Sequence, residues 1–234
     1  FYVDVLEALN AAGIPFLLGG TYALSHYIGT DRPTKDLDIF VRPESVPVIV
    51  EHFRAIGYEA EMAYSHWLAK IHKGPYFVDV VFSSGNGVAR VDDGWFAHGV
   101  PHSIFGVPVL LSPREEMIWS KSFVQERERY DGGDVIHLMR HGDRLDWTRL
   151  LERFDQHWRV LFSYVVLFGF AYPAERGHIP QWLVDDLVAR FLMEQPDPAS
   201  RVCNGTLMSR EQYLPDVVDG GLTDPRVEPM GQMT

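Results

Sequence analysis

The chain has 234 residues, 46% of them hydrophobic and 23% charged, with a formal net charge of −11 and one cysteine. That is enough apolar material for one large domain or two small ones without covalent staples, and a single Cys203 excludes an internal disulfide framework. The acidic balance disfavours non-specific binding to nucleic-acid backbones, which are themselves anionic. The longest apolar run, Val160 to Tyr172, is broken by Ser163 and Gly169 and is shorter than the roughly 20 residues that span a bilayer, so no membrane partner is expected. The lone cysteine and the lack of a signal-like N-terminus lead to a cytoplasmic expectation.

Val3 to Ala12 places apolar residues at helical intervals, and Gly13-Ile14-Pro15 supplies a stop and a strand entry. Ile14 to Leu18 reads as the first strand; Gly19-Gly20 closes it, and Thr21 to Ile28 follows as a helix. Leu37 to Val41 is the next strand. Pro43 opens a helix to Ile56, after which Tyr58 to Met62, Trp67 to Ile71 and Tyr76 to Phe82 read as strands. Trp95 to Pro101 is ambiguous, and Ile104 to Leu111 resembles a hairpin around Gly106. Pro113 fits the first turn of a long helix reaching His137 or beyond. The pattern is helical from Trp147 through Arg159 and the apolar run, and again from Gln181 to Met193. Gln195 to Thr234 is rich in Pro, Gly and Asp and is expected to be irregular. The predicted architecture is α/β (α+β): a mixed-sheet core over 1–112 flanked by helices, a helical subdomain over 113–194, and a tail over 195–234.

The chemistry concentrates between Phe16 and Val41. Side chains alternate across a strand, so Asp36 and Asp38 share one face while Leu37 and Ile39 take the other. Two carboxylates so placed repel each other unless a cation sits between them, and hard divalent ions prefer such oxygen ligands, completed by substrate phosphates. Gly19 and Gly20 precede a helix whose first N–H groups could face an anion without side-chain obstruction. Asp79 interrupts the apolar strand YFVDVVF and is the candidate third acid. Alone, a D-x-D is common in loops and Asp79 reads as an ion-paired or strand-edge acid. Strand, Gly-Gly, helix, D-x-D strand and later Asp strand, in that order, are far more specific.

In that order these residues resemble the nucleotidyltransferase superfamily related to DNA polymerase beta. Leu111 to Arg140, with Lys121, Arg127, Arg129, Asp131 and Asp134, looks like the helical region of the minimal nucleotidyltransferases that include the AbiEii-like toxins. The resemblance covers about Phe1 to Arg140. It implies Asp36, Asp38 and Asp79 as catalytic residues and ligands of Mg²⁺ or Mn²⁺, with Gly19, Gly20, Thr21, Lys35 and Lys121 on an NTP held between core and helical subdomain. The implied reaction transfers NMP to a hydroxyl acceptor, which is a small molecule, a protein or a tRNA end, with release of pyrophosphate. The alternative is a nucleotide-binding or toxin–antitoxin-type module of this fold without turnover. The resemblance departs at a long Gly20-to-Asp36 interval and at Gly132-Gly133, where helix formers are usual.

Weaker features are assigned to structure. His137 and His141 are spaced i,i+4 but lack a third ligand, so they are read as a solvated face and not as zinc ligands. Ser25 and His26 have no nucleophilic partner in the sequence. Trp119, Trp147, Trp158 and Trp182 are read as core or interface residues.

Overall fold

A computed structural model of the chain describes residues 1–30, 32–141 and 145–226. It divides into two compact units, Phe1–Pro113 and Arg114–Thr234.

In the first unit, helix α1 (Tyr2–Ala11) buries Val5, Leu6 and Leu9, a helical-period stripe. Strand β1 is only Leu17–Leu18, shorter than the expected Ile14 to Leu18. Pro15 has no N–H for a ladder, and the Ile14 amide instead donates to Leu9 O at 3.0 Å, so Ile14 closes the helix rather than opening the strand. Then follow α2 (Gly20–Ile28), β2 (Leu37–Phe40) and, after a 3-10 turn over Pro43–Ser45, α3 (Val46–Ala55). Strands β3 (Glu59–Tyr64), β4 (Leu68–Lys73) and β5 (Tyr76–Val81) form a meander. The ambiguous stretch resolves into a short helix, α4 (Asp93–Ala97), and the start of β6 (Val100–Ile104). The Asp92 side chain caps α4 by accepting from the Trp95 amide. Strand β7 (Val107–Leu111) completes the predicted hairpin.

The seven strands form one mixed sheet in the order β3-β4-β5-β2-β1-β7-β6. The β2–β5 and β1–β7 pairs are parallel and the others antiparallel. Leu17, Leu18, Leu37, Ile39, Val78 and Val80 are fully buried, and the burial of Leu37, Ile39, Val78 and Val80 on one face fixes the register of the two strands that carry the candidate acids.

The second unit is helical: α5 (Arg114–Ser122), α6 (Gly132–Arg140), α7 (Trp147–Phe154), α8 (Trp158–Ala171), α9 (Gln181–Met193) and α10 (Arg210–Val218). The single long helix expected from Pro113 to His137 is therefore two. The chain turns at Val124, whose amide donates to Lys121 O at 3.0 Å, and Gln125 and Tyr130 form an isolated bridge. Gly132 and Gly133 are poor helix propagators and stand where the second helix begins. The stretch expected to be irregular from Gln195 carries α10, capped by Ser209, which accepts from the Gln212 amide. Residues 227–234 of that tail lie outside the described residues. No described helix is long and apolar enough to cross a membrane.

An ion network lies inside this unit. Glu116 is 0% exposed and accepts from Arg153 Nε at 3.0 Å and from an Arg149 guanidinium nitrogen. Glu115 accepts from Arg149 Nη1 at 3.0 Å and from the Asp146 amide at 2.8 Å. Burial pushes the Glu116 carboxyl above its ordinary range, against the pull of the two arginines.

Candidate active site

Asp36 immediately precedes β2, Asp38 is its second residue and Asp79 is the fourth residue of β5. Asp38 and Asp79 are direct partners across the parallel β2–β5 pair. All three are half-buried, and each offers an oxygen within 4.8 Å of the others. At that separation, with an effective dielectric near 20, each like-charged pair repels by about 3 kcal/mol. The all-oxygen donor set suits a hard divalent cation.

The glycine turn abuts these acids. Gly19 precedes α2, donates to Asp38 O at 2.9 Å and accepts from the Ala23 amide at 3.2 Å. A Cβ on Gly19 would lie 2.2 Å from the Phe40 ring, which stacks on the buried Trp95 at 5.1 Å. Gly20 has φ +55°, and its missing Cβ leaves the space occupied by the Asp38 carboxylate. Thr21 lines a cleft of about 600 Å³ along α2, together with Tyr22, Ser25, Arg32 and Thr34. Lys35 is exposed, and its carbonyl accepts from the Tyr2 hydroxyl at 2.6 Å.

Four surrounding residues were not singled out from sequence. Thr34 Oγ1 donates to Asp36 Oδ1 at 2.5 Å. Lys70 Nζ lies 2.6 Å from Asp79 Oδ1. Burial and then the charge of Asp36 push the Tyr22 phenol above its ordinary range. The Tyr2 phenol is raised by burial first, with Tyr22, Asp36 and Tyr76 adding to it.

Lys121 lies in the second unit, where it donates to Asp131 Oδ2 at 2.8 Å and to Asp134 Oδ2 at 3.0 Å. Burial alone would raise the Asp131 carboxyl, but Lys121 and Arg129 outweigh it and hold it below the usual range. His137 and His141 lie at the C-terminal end of α6, with the His141 amide donating to His137 O.

Residues 1–88 match the family model described as "Nucleotidyl transferase of unknown function (DUF2204)". The matched segment contains all three acids and the glycine turn, so over these residues the chain is similar to nucleotidyl transferases. Among solved structures, the chain is similar to the antibiotic-resistance factor ANT(2'')-Ia: 17% identity, 82% of this chain and 91% of that one covered, TM-score 0.39. It is also similar to the lincosamide antibiotic adenylyltransferase LnuA, at 14% identity, 58% and 93% coverage and TM-score 0.43. An antigenic nucleotidyltransferase-like protein from Paracoccidioides brasiliensis matches at 14% identity, 69% and 88% coverage and TM-score 0.38. These likenesses transfer no substrate to this chain. No curated protein matches it in sequence.

Proposed function

We propose that the protein is a metal-dependent nucleotidyltransferase that moves NMP from an NTP to a hydroxyl acceptor. The observation that carries this reading is the convergence of Asp36, Asp38 and Asp79 beside a glycine turn whose missing Cβ accommodates Asp38. Asp36, Asp38 and Asp79 would hold Mg²⁺ or Mn²⁺, which when bound offsets the triphosphate charge and that developing on the entering and leaving oxygens. The backbone N–H groups at the start of α2 would receive phosphate, and Thr21, Ser25 and Arg32 would supply donors along the adjoining cleft. Asp79 orients the acceptor hydroxyl and takes its proton. The new bond joins that oxygen to the α-phosphorus, the bond from the α-phosphorus to the bridging oxygen breaks, and pyrophosphate leaves. Because Lys121 already serves two carboxylates, the nucleotide role expected of it is not carried into this reading.

The test is incubation with each α-labelled NTP, Mg²⁺ or Mn²⁺, and cell extract. Label transferred to an extract component with matching pyrophosphate release supports the reading; a protein that binds NTP yet transfers no label in any extract overturns it. One observation favours the second reading, a nucleotide-binding module without turnover: Lys70 pairs with the acid that must accept the proton. Tight NTP binding without pyrophosphate release is its signature.

A further inference from the structure

Lys70 is the third residue of β4 and faces Asp79 directly across the antiparallel β4–β5 pair, while Asp79 faces Asp38 across β5–β2. Lys70, Asp79 and Asp38 thus form one cross-strand row in the sheet. Lys70 Nζ is 2.6 Å from Asp79 Oδ1 and 4.3 Å from the centroid of the Phe77 ring. Its position is dictated by the hairpin: Lys73 pairs with Tyr76 around the two-residue turn Gly74-Pro75, so counting back three residues on each strand brings 70 to 79.

We propose that Lys70 is a resident counter-cation of the acidic cluster, paired with Asp79. It holds Asp79 in the metal-free protein and is displaced when a divalent ion takes that carboxylate, so metal loading is set by competition with an ammonium built into the sheet. The inference rests on the metal-site reading above. Three carboxylates within 4.8 Å need positive charge whether or not metal is present, and Lys70 places an ammonium in hydrogen-bonding contact with one of them. The pair is not sealed in: the side chains of Lys70 and Asp79 are 24% and 17% exposed, so water can take up the released ammonium. A lysine suits displacement because it is a compact charge on a flexible stem, without the rigid two-pronged geometry of arginine. An NTP brings further negative charge and so favours the divalent ion over the ammonium. Metal should therefore bind weakly alone and much better with NTP.

The experiment titrates Mn²⁺ into NTP-free protein by calorimetry, for wild type, Lys70→Met, Lys70→Arg and Asp36→Asn, with melting curves of each in EDTA and in saturating Mn²⁺. Lys70→Met keeps an apolar stem against Phe77 and removes the charge. It is expected to bind Mn²⁺ about tenfold more tightly than wild type. Lys70→Arg, with the charge retained, should stay near the wild-type affinity. In EDTA the Lys70→Met melt falls below wild type, and saturating Mn²⁺ closes that gap. A purely structural lysine would lower the melt equally in both conditions, which overturns the inference. Unchanged or weaker Mn²⁺ affinity in folded Lys70→Met, alongside lost binding in Asp36→Asn, removes the Lys70 inference and leaves the metal site standing. Full Mn²⁺ binding in Asp36→Asn removes the metal-site reading and this inference with it.

Discussion

A Cβ placed on Gly20 would lie 1.8 Å from Oδ2 of Asp38. No real side chain tolerates that contact, so turn and acid are fitted to each other. Gly20→Val imposes two separable effects. A positive φ of 55° costs a non-glycine residue about 1–2 kcal/mol, equivalent to roughly 2–8 °C in Tm for a chain of this size. The new methyl groups also push Asp38 from the cluster and crowd the phosphate approach. NTP and metal affinity should fall by more than about tenfold, beyond the loss of stability. Unchanged affinity in the folded variant, read by titration, would place the phosphate elsewhere.

Asp79→Asn separates chemistry from binding. The nucleotide is assigned to the glycine turn and to the ion held by Asp36 and Asp38, whereas Asp79 serves the acceptor oxygen. Transfer should be abolished while NTP affinity stays within about tenfold, roughly 1.4 kcal/mol. Full transfer without Asp79, measured on the same folded sample, would sink the three-acid mechanism.

Thr34 fixes the orientation of Asp36 through a hydrogen bond of 2.5 Å to Oδ1. Removing such a supporting partner of a metal ligand typically costs about tenfold or more in metal affinity. Thr34→Val should therefore weaken Mn²⁺ binding by that factor with little change in melting, and Thr34→Ser should restore it. Calorimetry decides; equal affinity in Thr34→Val would mean Asp36 is held by other means.

Glu116→Ala leaves Arg149 and Arg153 without a carboxylate that is itself wholly buried. Breaking a buried pair from one side costs about 3–5 kcal/mol. Urea unfolding should show a loss of that order, while NTP binding of the still-folded fraction is unaffected.

Asp131 carries a pH signature. Its folded-state carboxyl sits below the ordinary value of 3.8, so the native state favours the charged form. The stabilisation is present above that value and is lost as pH falls through 3.8 toward the depressed folded value. Asp131→Asn should be less stable than wild type at neutral pH, and the gap should narrow on acidification below about pH 4. A gap that widens in acid would reverse the assigned direction.

The acids and the glycine turn were legible in sequence because each breaks an apolar pattern: Asp36 and Asp38 flank the fully buried Leu37, and Asp79 sits between the buried Val78 and Val80. Helix α9 was legible to its ends, since Pro180 precedes it and the apolar spacing runs to Met193. The Lys70–Asp79 pair depends on cross-strand register, which strand assignment alone does not supply; it becomes readable only once Gly74-Pro75 is taken as a two-residue turn, with Gly74 at φ +60°. The break between α5 and α6 was missed because the charged residues Glu126 to Arg129 fit a helix by composition, and only the turn bonds at Val124 and the Gln125–Tyr130 bridge stop it. Helix α10 was hidden by Pro215 within it, and it is anchored from outside, with Ser209 Oγ donating to Glu126 Oε2 at 2.6 Å.

The parallel ladder between β2 and β5 pins Asp38 and Asp79 at strand spacing, about 4.8 Å between neighbouring backbones, and backbone hydrogen bonds cannot stretch to let two charges drift apart. The part of their repulsion that Lys70 does not offset stays in the sheet whenever the chain folds without a divalent ion, and an arriving cation relieves it. The melting temperature then becomes a reporter of occupancy that needs no knowledge of the acceptor. A panel of divalent cations ranked by thermal shift would display the site's ionic preference directly, while monovalent salt, which only screens, would reproduce no more than the unspecific part of the gain.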